Sequence, residues 1–173
     1  MSQTKKYYGK YRGTVVNNID PAQLGRIMAM VPDVTGASPT AWALPCMPIA
    51  GNQHGVYVLP NIGDTVWIEF EQGDREHPIW VGGFWGSALQ VPSAALAGNA
   101  ANPNIVIQTP LQQGVVISDM PPSPTTGGVM LHSATGASIV VNDAGIFISN
   151  GKGATIHMVG AGVSINNGAL EVI

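Results

Sequence analysis

Charge is what this chain has least of. Asp, Glu, Lys and Arg make up only 10% of 173 residues, and their formal sum is −3. A groove that tracks a nucleic-acid backbone needs clustered cations and stacking aromatics. The basic residues gather only at Lys5, Lys6, Lys10 and Arg12, and hairpin pairing places some of Trp67, Trp80 and Trp85 inside a barrel or at subunit contacts, so no nucleic-acid partner is expected. Cysteine is represented once, by Cys46, which excludes an internal disulfide framework. Set in A-L-P-C-M-P-I-A with no adjacent base, Cys46 reads as a small buried hydrophobe, not a reactive thiol. No apolar run approaches a membrane span, and Met1–Lys6 lead into Tyr7 without the apolar segment of a signal peptide.

Catalytic constellations are missing as well. The only cluster containing carboxylates is Asp74-Arg75-Glu76-His77, on a turn between two strands, where solvent leaves little of the pKa separation an acid–base pair needs. There is no nucleophile elbow, phosphate-cradling loop or metalloprotease helix. Gly151-Lys152-Gly153-Ala154 lacks both the glycine spacing and the following helix of a phosphate loop. No catalytic residue, metal ligand or cofactor is expected, and the chain reads as a non-enzyme.

What is plentiful is glycine, at 22 residues, set among short alternating β-branched runs. In the last quarter, glycines at 136, 145, 153, 162 and 168 separate the pairs Ile139/Val141, Ile146/Ile148, Ile156/Met158, Val163/Ile165 and Leu170/Val172. Period-two alternation broken by Gly, Asn and Asp predicts short strands joined by tight turns, stacked as a repeat. One chain has too little here to bury its own apolar row and would expose strand edges. Three copies about a common axis relieve both problems. The expectation is an intertwined trimeric β-prism in which strands pair with those of sister subunits. Its core is Val129, Leu131, Ile139, Val141, Ile146, Ile148, Ile156, Met158, Val163 and Ile165. The alternation turns His157 outward, and His132 too, although a one-residue register shift would invert His132. Ser138, Asn142, Ser149, Thr155 and Ser164 then form a weakly charged outer surface.

The first half reads as a small closed barrel of about five strands, with an OB fold the first choice. Strands are expected over Tyr7–Asn17, Gly25–Val31, Ala41–Ile49 (bent by its prolines), Thr65–Glu71 and Pro78–Gly82. Either Ile27 and Ala29 or Arg26, Met28 and Met30 face inward. Asp20 or Pro21 is a possible start for one helical turn, Pro32–Pro39 is a loop, and Val66, Ile68 and Phe70 share a face. The predicted organisation is a disordered tail over 1–6, an OB domain over 7–86, a small-residue linker over 87–104 and the β-helix over 105–173. Within the last part, Ile105–Ile107 and Val115–Ile117 are first rungs, and Met120–Gly127 is an interrupting loop.

The series Gly25-Arg26, Pro60-x-x-Gly63-Asp64-x-Val66, Phe70, Gly73-Asp74 and Pro78-x-x-x-Gly82 resembles the OB domain of phage baseplate assembly protein V and VgrG spike proteins. The repeat ending I-N-N-G-A-L-E-V-I is similar to the triple-stranded β-helix that follows it in that family. The resemblance implies a homotrimeric central spike of a contractile-tail baseplate, in a phage or a phage-derived injection particle, assembled in the cytoplasm. It implies mechanical puncture of a target envelope with transient contact, a hub protein at the OB end and a PAAR-like tip protein on Leu170, Glu171, Val172 and Ile173. Certain short spikes of the family hold an axial iron through H-x-H; here Ile156-His157-Met158 departs from that pattern. The alternative reading is a trimeric carbohydrate-binding or depolymerising fibre. Such grooves need aromatic platforms and acidic pairs, and the repeat region has only Phe147 as an aromatic.

Overall fold

The computed structural model describes residues 5–97, 100–123 and 126–172. It divides into two compact units, Met1–Gly86 and Ser87–Ile173, and regular structure in both is dominated by strands. In the first unit the strands are β1 (Tyr11–Asn17), β2 (Met28–Met30), β3 (Leu44–Pro45), β4 (Ala50–Gly51), β5 (His54–Gly55), β6 (Thr65–Phe70) and β7 (Pro78–Gly83). Five of them form one sheet in the order β2-β1-β6-β7-β3. Its ends close on each other: Ile27 and Ala43 exchange N–H···O bonds of 3.2 and 2.7 Å, and the Thr40 N–H donates to the Ala29 carbonyl at 2.8 Å. The circuit is therefore β1-β2-β3-β7-β6, with β3 and β7 parallel, which is the OB arrangement. The small hairpin β4–β5 lies outside this circuit.

Burial follows the pleat. Val66, Ile68 and Phe70 point inward along β6, and Ile27, Ala29 and Val31 rather than Arg26, Met28 and Met30 supply the facing row. Val15, Ala43 and Trp80 complete the core, and the Trp80 indole N–H donates to the Gly25 carbonyl at 3.0 Å. Each large aliphatic group enclosed in this way contributes about 1.5–3 kcal/mol.

Several expectations change here. Of Ala41–Ile49 only Leu44–Pro45 is strand, because Pro45 and Pro48 carry no N–H to extend a ladder. Cys46 is exposed, not buried. Alternation from the buried Ala43 turns Leu44 and Cys46 outward, while the Cys46 N–H still donates to the Trp80 carbonyl at 2.9 Å. The segment expected as a loop opens with a single helical turn, α1 (Pro32–Thr35), started by a proline whose missing N–H costs nothing there. At Asp20 the chain makes a turn and not a helix. The carboxylate accepts the N–H groups of Ala22 (2.9 Å) and Leu24 (2.8 Å) and pairs with the Arg26 guanidinium at 2.6 Å. Arg26 also lies 5.5 Å from the Trp42 ring centre.

The second unit begins with two helical turns, Ala88–Gln90 and α2 (Ser93–Leu96), within the stretch expected to be a plain linker. The Asn104 amide ties to α2 by donating to the Ala94 carbonyl at 2.8 Å. Then come β8 (Ile105–Gln108), β9 (Gly114–Ser123), β10 (Thr126–His132), β11 (Ser138–Asn142), β12 (Gly145–Ser149), β13 (Thr155–Val159), β14 (Gly162–Ile165) and β15 (Leu170–Val172). They form one eight-stranded antiparallel meander in chain order. The ladders thus run within the chain, whereas the sequence reading placed the pairing partners in sister subunits. Connections of two to five residues are hairpin length, and a hairpin closes at far lower entropic cost than pairing with another chain.

The repeat is a strand pair with alternating turns, not a single glycine-ended rung. Three long turns share one edge: Thr109–Gln113, Ser133–Ala137 and Asn150–Ala154. In each, the first residue's N–H donates to the last residue's carbonyl, at 2.9, 2.8 and 3.1 Å. Its side-chain oxygen in turn accepts the last residue's N–H, at 3.2, 3.1 and 3.0 Å. Successive turns stack closely. A Cβ on Gly151 would stand 2.7 Å from the Gly136 carbonyl carbon, and Gly151 itself has φ +71°. On the other edge the turns are short, with the Asn142 side chain accepting the N–H groups of Ala144 and Gly145. The loop expected over Met120–Gly127 is mostly strand, with Thr126 opposite Ser123. Pro121 and Pro122 are tolerated because β8 and β11 no longer flank this part of the hairpin, so their missing N–H groups break no ladder.

Two substitutions test these supports. Gly151→Ala combines a positive φ with a clash and should cost about 1–2 kcal/mol or more by denaturant unfolding. Gly153→Ala, at φ +105° with open space around it, should cost less. The Arg26 guanidinium, assisted by backbone N–H groups, holds the Asp20 carboxyl below the usual carboxylate range against the opposing effect of burial. Its stabilisation is therefore complete above the unfolded carboxylate pKa and is lost as pH falls through the lower folded value. Asp20→Asn should lower the midpoint at neutral pH and flatten its decline in acid, measured by unfolding at several pH values.

Candidate functional site

Antiparallel pairing at unshifted register carries one face of each strand onto the same face of the next. The meander therefore has two continuous cross-strand rows on one side. The first is Ile105, Ile117, Val129, Val141, Ile146, Met158, Val163 and Val172; the second is Ile107, Val115, Leu131, Ile139, Ile148, Ile156, Ile165 and Leu170. Every position is Ile, Val, Leu or Met. All ten residues expected to form the trimer core lie here, joined by six more. The first rungs supply four of those, Ile105, Ile107, Val115 and Ile117. Leu170 and Val172, which the resemblance assigned to a tip contact, supply the other two. The same alternation was visible in the sequence at all six.

This face is open in the single chain. Leu131 is 46% exposed, Val141 45% and Ile139 41%, values far from those of a finished core. A contiguous apolar surface of this extent marks an interaction site on a folded protein.

The opposite face differs in chemistry. Its central row is Val106, Val116, Met130, Val140, Phe147, His157, Ser164 and Glu171. Val116 and Val140 are buried on either side of Met130, and Phe147 meets His157 edge-on at 5.3 Å. The flanking positions include His132, Ser138, Ser149 and Thr155. The register thus puts both His132 and His157 away from the aliphatic rows. Among the described residues no three His, Cys, Asp or Glu side chains converge on one point. Leu170, Glu171 and Val172 form β15, the last strand of the sheet, whose outer edge has no ladder partner among the described residues. Ile173 lies outside the described residues.

In the first unit the charged hairpin turn is exposed and internally paired. Arg75 meets Glu76 at 2.8 Å and His77 meets Asp74 at 3.5 Å. Three of the four N-terminal basic residues are engaged as well. Lys10 pairs with Glu69, Arg12 lies 5.8 and 5.5 Å from the ring centres of Trp67 and Phe84, and Lys5 sits 5.0 Å from that of Tyr7. Trp80 belongs to the core and Trp85 is exposed. An apolar hollow of about 460 Å³, lined in part by Leu24, Pro45, Met47, Ile49 and Tyr57, opens beside the β4–β5 hairpin. Charge and periodicity did not reveal it, because its residues come from two separate stretches, 23–25 and 45–57.

Two protein-family models match the chain. Residues 11–85 match the Type VI secretion system/phage-baseplate injector OB domain, and residues 104–171 match the phage baseplate V C-terminal trimerisation domain. No curated protein matches it. The closed barrel corresponds to the first model and the open-faced meander to the second. The chain belongs to the phage baseplate V family of spike components, with an injector OB domain followed by a C-terminal trimerisation domain.

Proposed function

We propose that this protein is the homotrimeric central spike of a contractile-tail baseplate and that it punctures a target cell envelope mechanically. The observation that carries the reading is the pair of uninterrupted aliphatic rows left open on the meander. Three such sheets about one axis, apolar faces inward, bury them against one another. At about 1–3 kcal/mol per enclosed side chain, such burial far exceeds the entropic cost of association. Val129, Leu131, Ile139, Val141, Ile146, Ile148, Ile156, Met158, Val163 and Ile165 form the centre of that core.

With strands lying across the axis, eight of them at ~4.8 Å give a shaft on the order of 40 Å long. The ladder hydrogen bonds then point along the axis, so end-on compression is carried by bonds in their strong direction. The outer positions, Ser138, Asn142, Ser149, Thr155 and Ser164, are small and uncharged, which suits passage through a membrane. The role requires no catalysis. A hub protein joins the OB end, for which the hollow beside β4–β5 is the apolar candidate surface. A PAAR-like tip seats on the open edge of β15 and residues Leu170–Ile173. The trimer assembles in the cytoplasm before joining the particle.

Leu131→Glu or Ile139→Glu would set three carboxylates near the axis and should convert the trimer to monomers in sedimentation equilibrium. Ser138→Glu, on the other face, should leave it trimeric. A wild-type chain that sediments as a compact monomer at micromolar concentration would overturn the reading. Removing residues 169–173 should abolish capture of a co-expressed tip protein while the shaft remains trimeric; undiminished capture would place the tip elsewhere.

A further inference from the structure

The second unit carries its few charges in a pattern that the aliphatic rows do not explain. Between Ile105 and Val172 the only Asp, Glu, Lys or Arg residues are Asp119, Asp143, Lys152 and Glu171. Asp143 lies in the turn between β11 and β12, and Lys152 in the turn between β12 and β13. They therefore occupy opposite edges of the sheet, separated by the length of β12. At ~3.3 Å per residue that is roughly 20 Å, so they cannot pair within one chain.

The short-turn edge is shaped to receive something. Ser118, Asp119, Gly128, Asn142 and Asp143 help to line a polar hollow of about 310 Å³. The orientation of the Asn142 amide is fixed, because its Oδ1 accepts the N–H groups of Ala144 (2.9 Å) and Gly145 (3.2 Å). Its Nδ2 is left buried with no acceptor among the described residues. The long-turn edge presents the complement. Lys152 is exposed, makes no ion pair among the described residues, and sits in a turn whose backbone is already ordered by Asn150.

Three-fold rotation joins unlike edges: the long-turn side of each sheet must meet the short-turn side of the next. We propose that Lys152 of each chain enters the hollow of its neighbour, facing the partner subunit's Asp143 and Asp119, while a turn carbonyl accepts the partner subunit's Asn142 Nδ2. The two turns are offset along the axis by one strand, ~4.8 Å, which the four-carbon stem of lysine spans. An isolated exposed pair of this kind contributes little. Its effect is on specificity, because two short-turn edges brought together would oppose carboxylate to carboxylate. This inference rests on the trimeric reading and specifies how its corners are made.

The full chain carrying Cys46→Ser, Lys152→Cys and Asp143→Cys tests it with a short bismaleimide. Expected is a covalent trimer on a denaturing gel, with each single-cysteine variant remaining monomeric. A species that sediments as a trimer but is not cross-linked would overturn the corner assignment and leave the trimer intact. Cross-linking of either single variant to the same extent would also overturn it. Absence of a trimer in sedimentation would overturn the trimeric reading itself. In a cysteine-free check, Lys152→Asp should weaken trimer association roughly tenfold for three corner pairs of ordinary strength. Adding Asp143→Lys should restore it, and failure to restore would count against the pairing.

Discussion

A single-layer sheet can satisfy all its interior backbone groups and still be unfinished, because hydrogen bonding and apolar burial are met in perpendicular directions. In the second unit the ladder from β8 to β15 is complete within the chain, yet the aliphatic rows on one of its faces are left half-exposed among the described residues. The remaining driving force is therefore almost purely hydrophobic and non-directional. It specifies that the face be covered but says little about which edge meets which. Directional instructions must come from elsewhere, and the proposed corner contacts of the sparse edge charges and of Asn142 Nδ2, which has no acceptor among the described residues, would provide them.

The first unit resolves the same conflict by closure. Ile27 pairs with Ala43, the sheet meets itself, and the inward residues of β1, β2, β6 and β7 bury one another without help. Polar groups near the seam are tied down: Trp80 to Gly25, and Asp20 to the Arg26 guanidinium and three backbone N–H groups. One unit thus finishes its core alone and the other requires copies of itself.

The turns of the meander show how little sequence is needed to hold a long sheet in register. Thr109, Ser133 and Asn150 are different residues that make the same pair of hydrogen bonds, and Gly136 and Gly151 let successive turns lie against each other. The repeat is conserved in geometry and hidden in letters. For this reason glycine spacing suggested single rungs where the physical unit is a hairpin.

Alternation and turn residues in the sequence alone determined the all-β class, the division into barrel and repeat, the inward row Val66, Ile68 and Phe70, and the single face shared by the ten aliphatic residues from Val129 to Ile165. These are consequences of a period-two pleat and need no knowledge of long-range contacts. Only the tertiary structure decided that the ladders run within the chain, that Ile27 and Ala29 face the core in place of Met28 and Met30, and that Cys46 is outside. It likewise decided that Asn142 and Asp119 share a hollow while Lys152 lies on the far edge. Each of these depends on which strand neighbours which, and pairing is set by loop closure and by competition among distant segments that a local pattern does not contain.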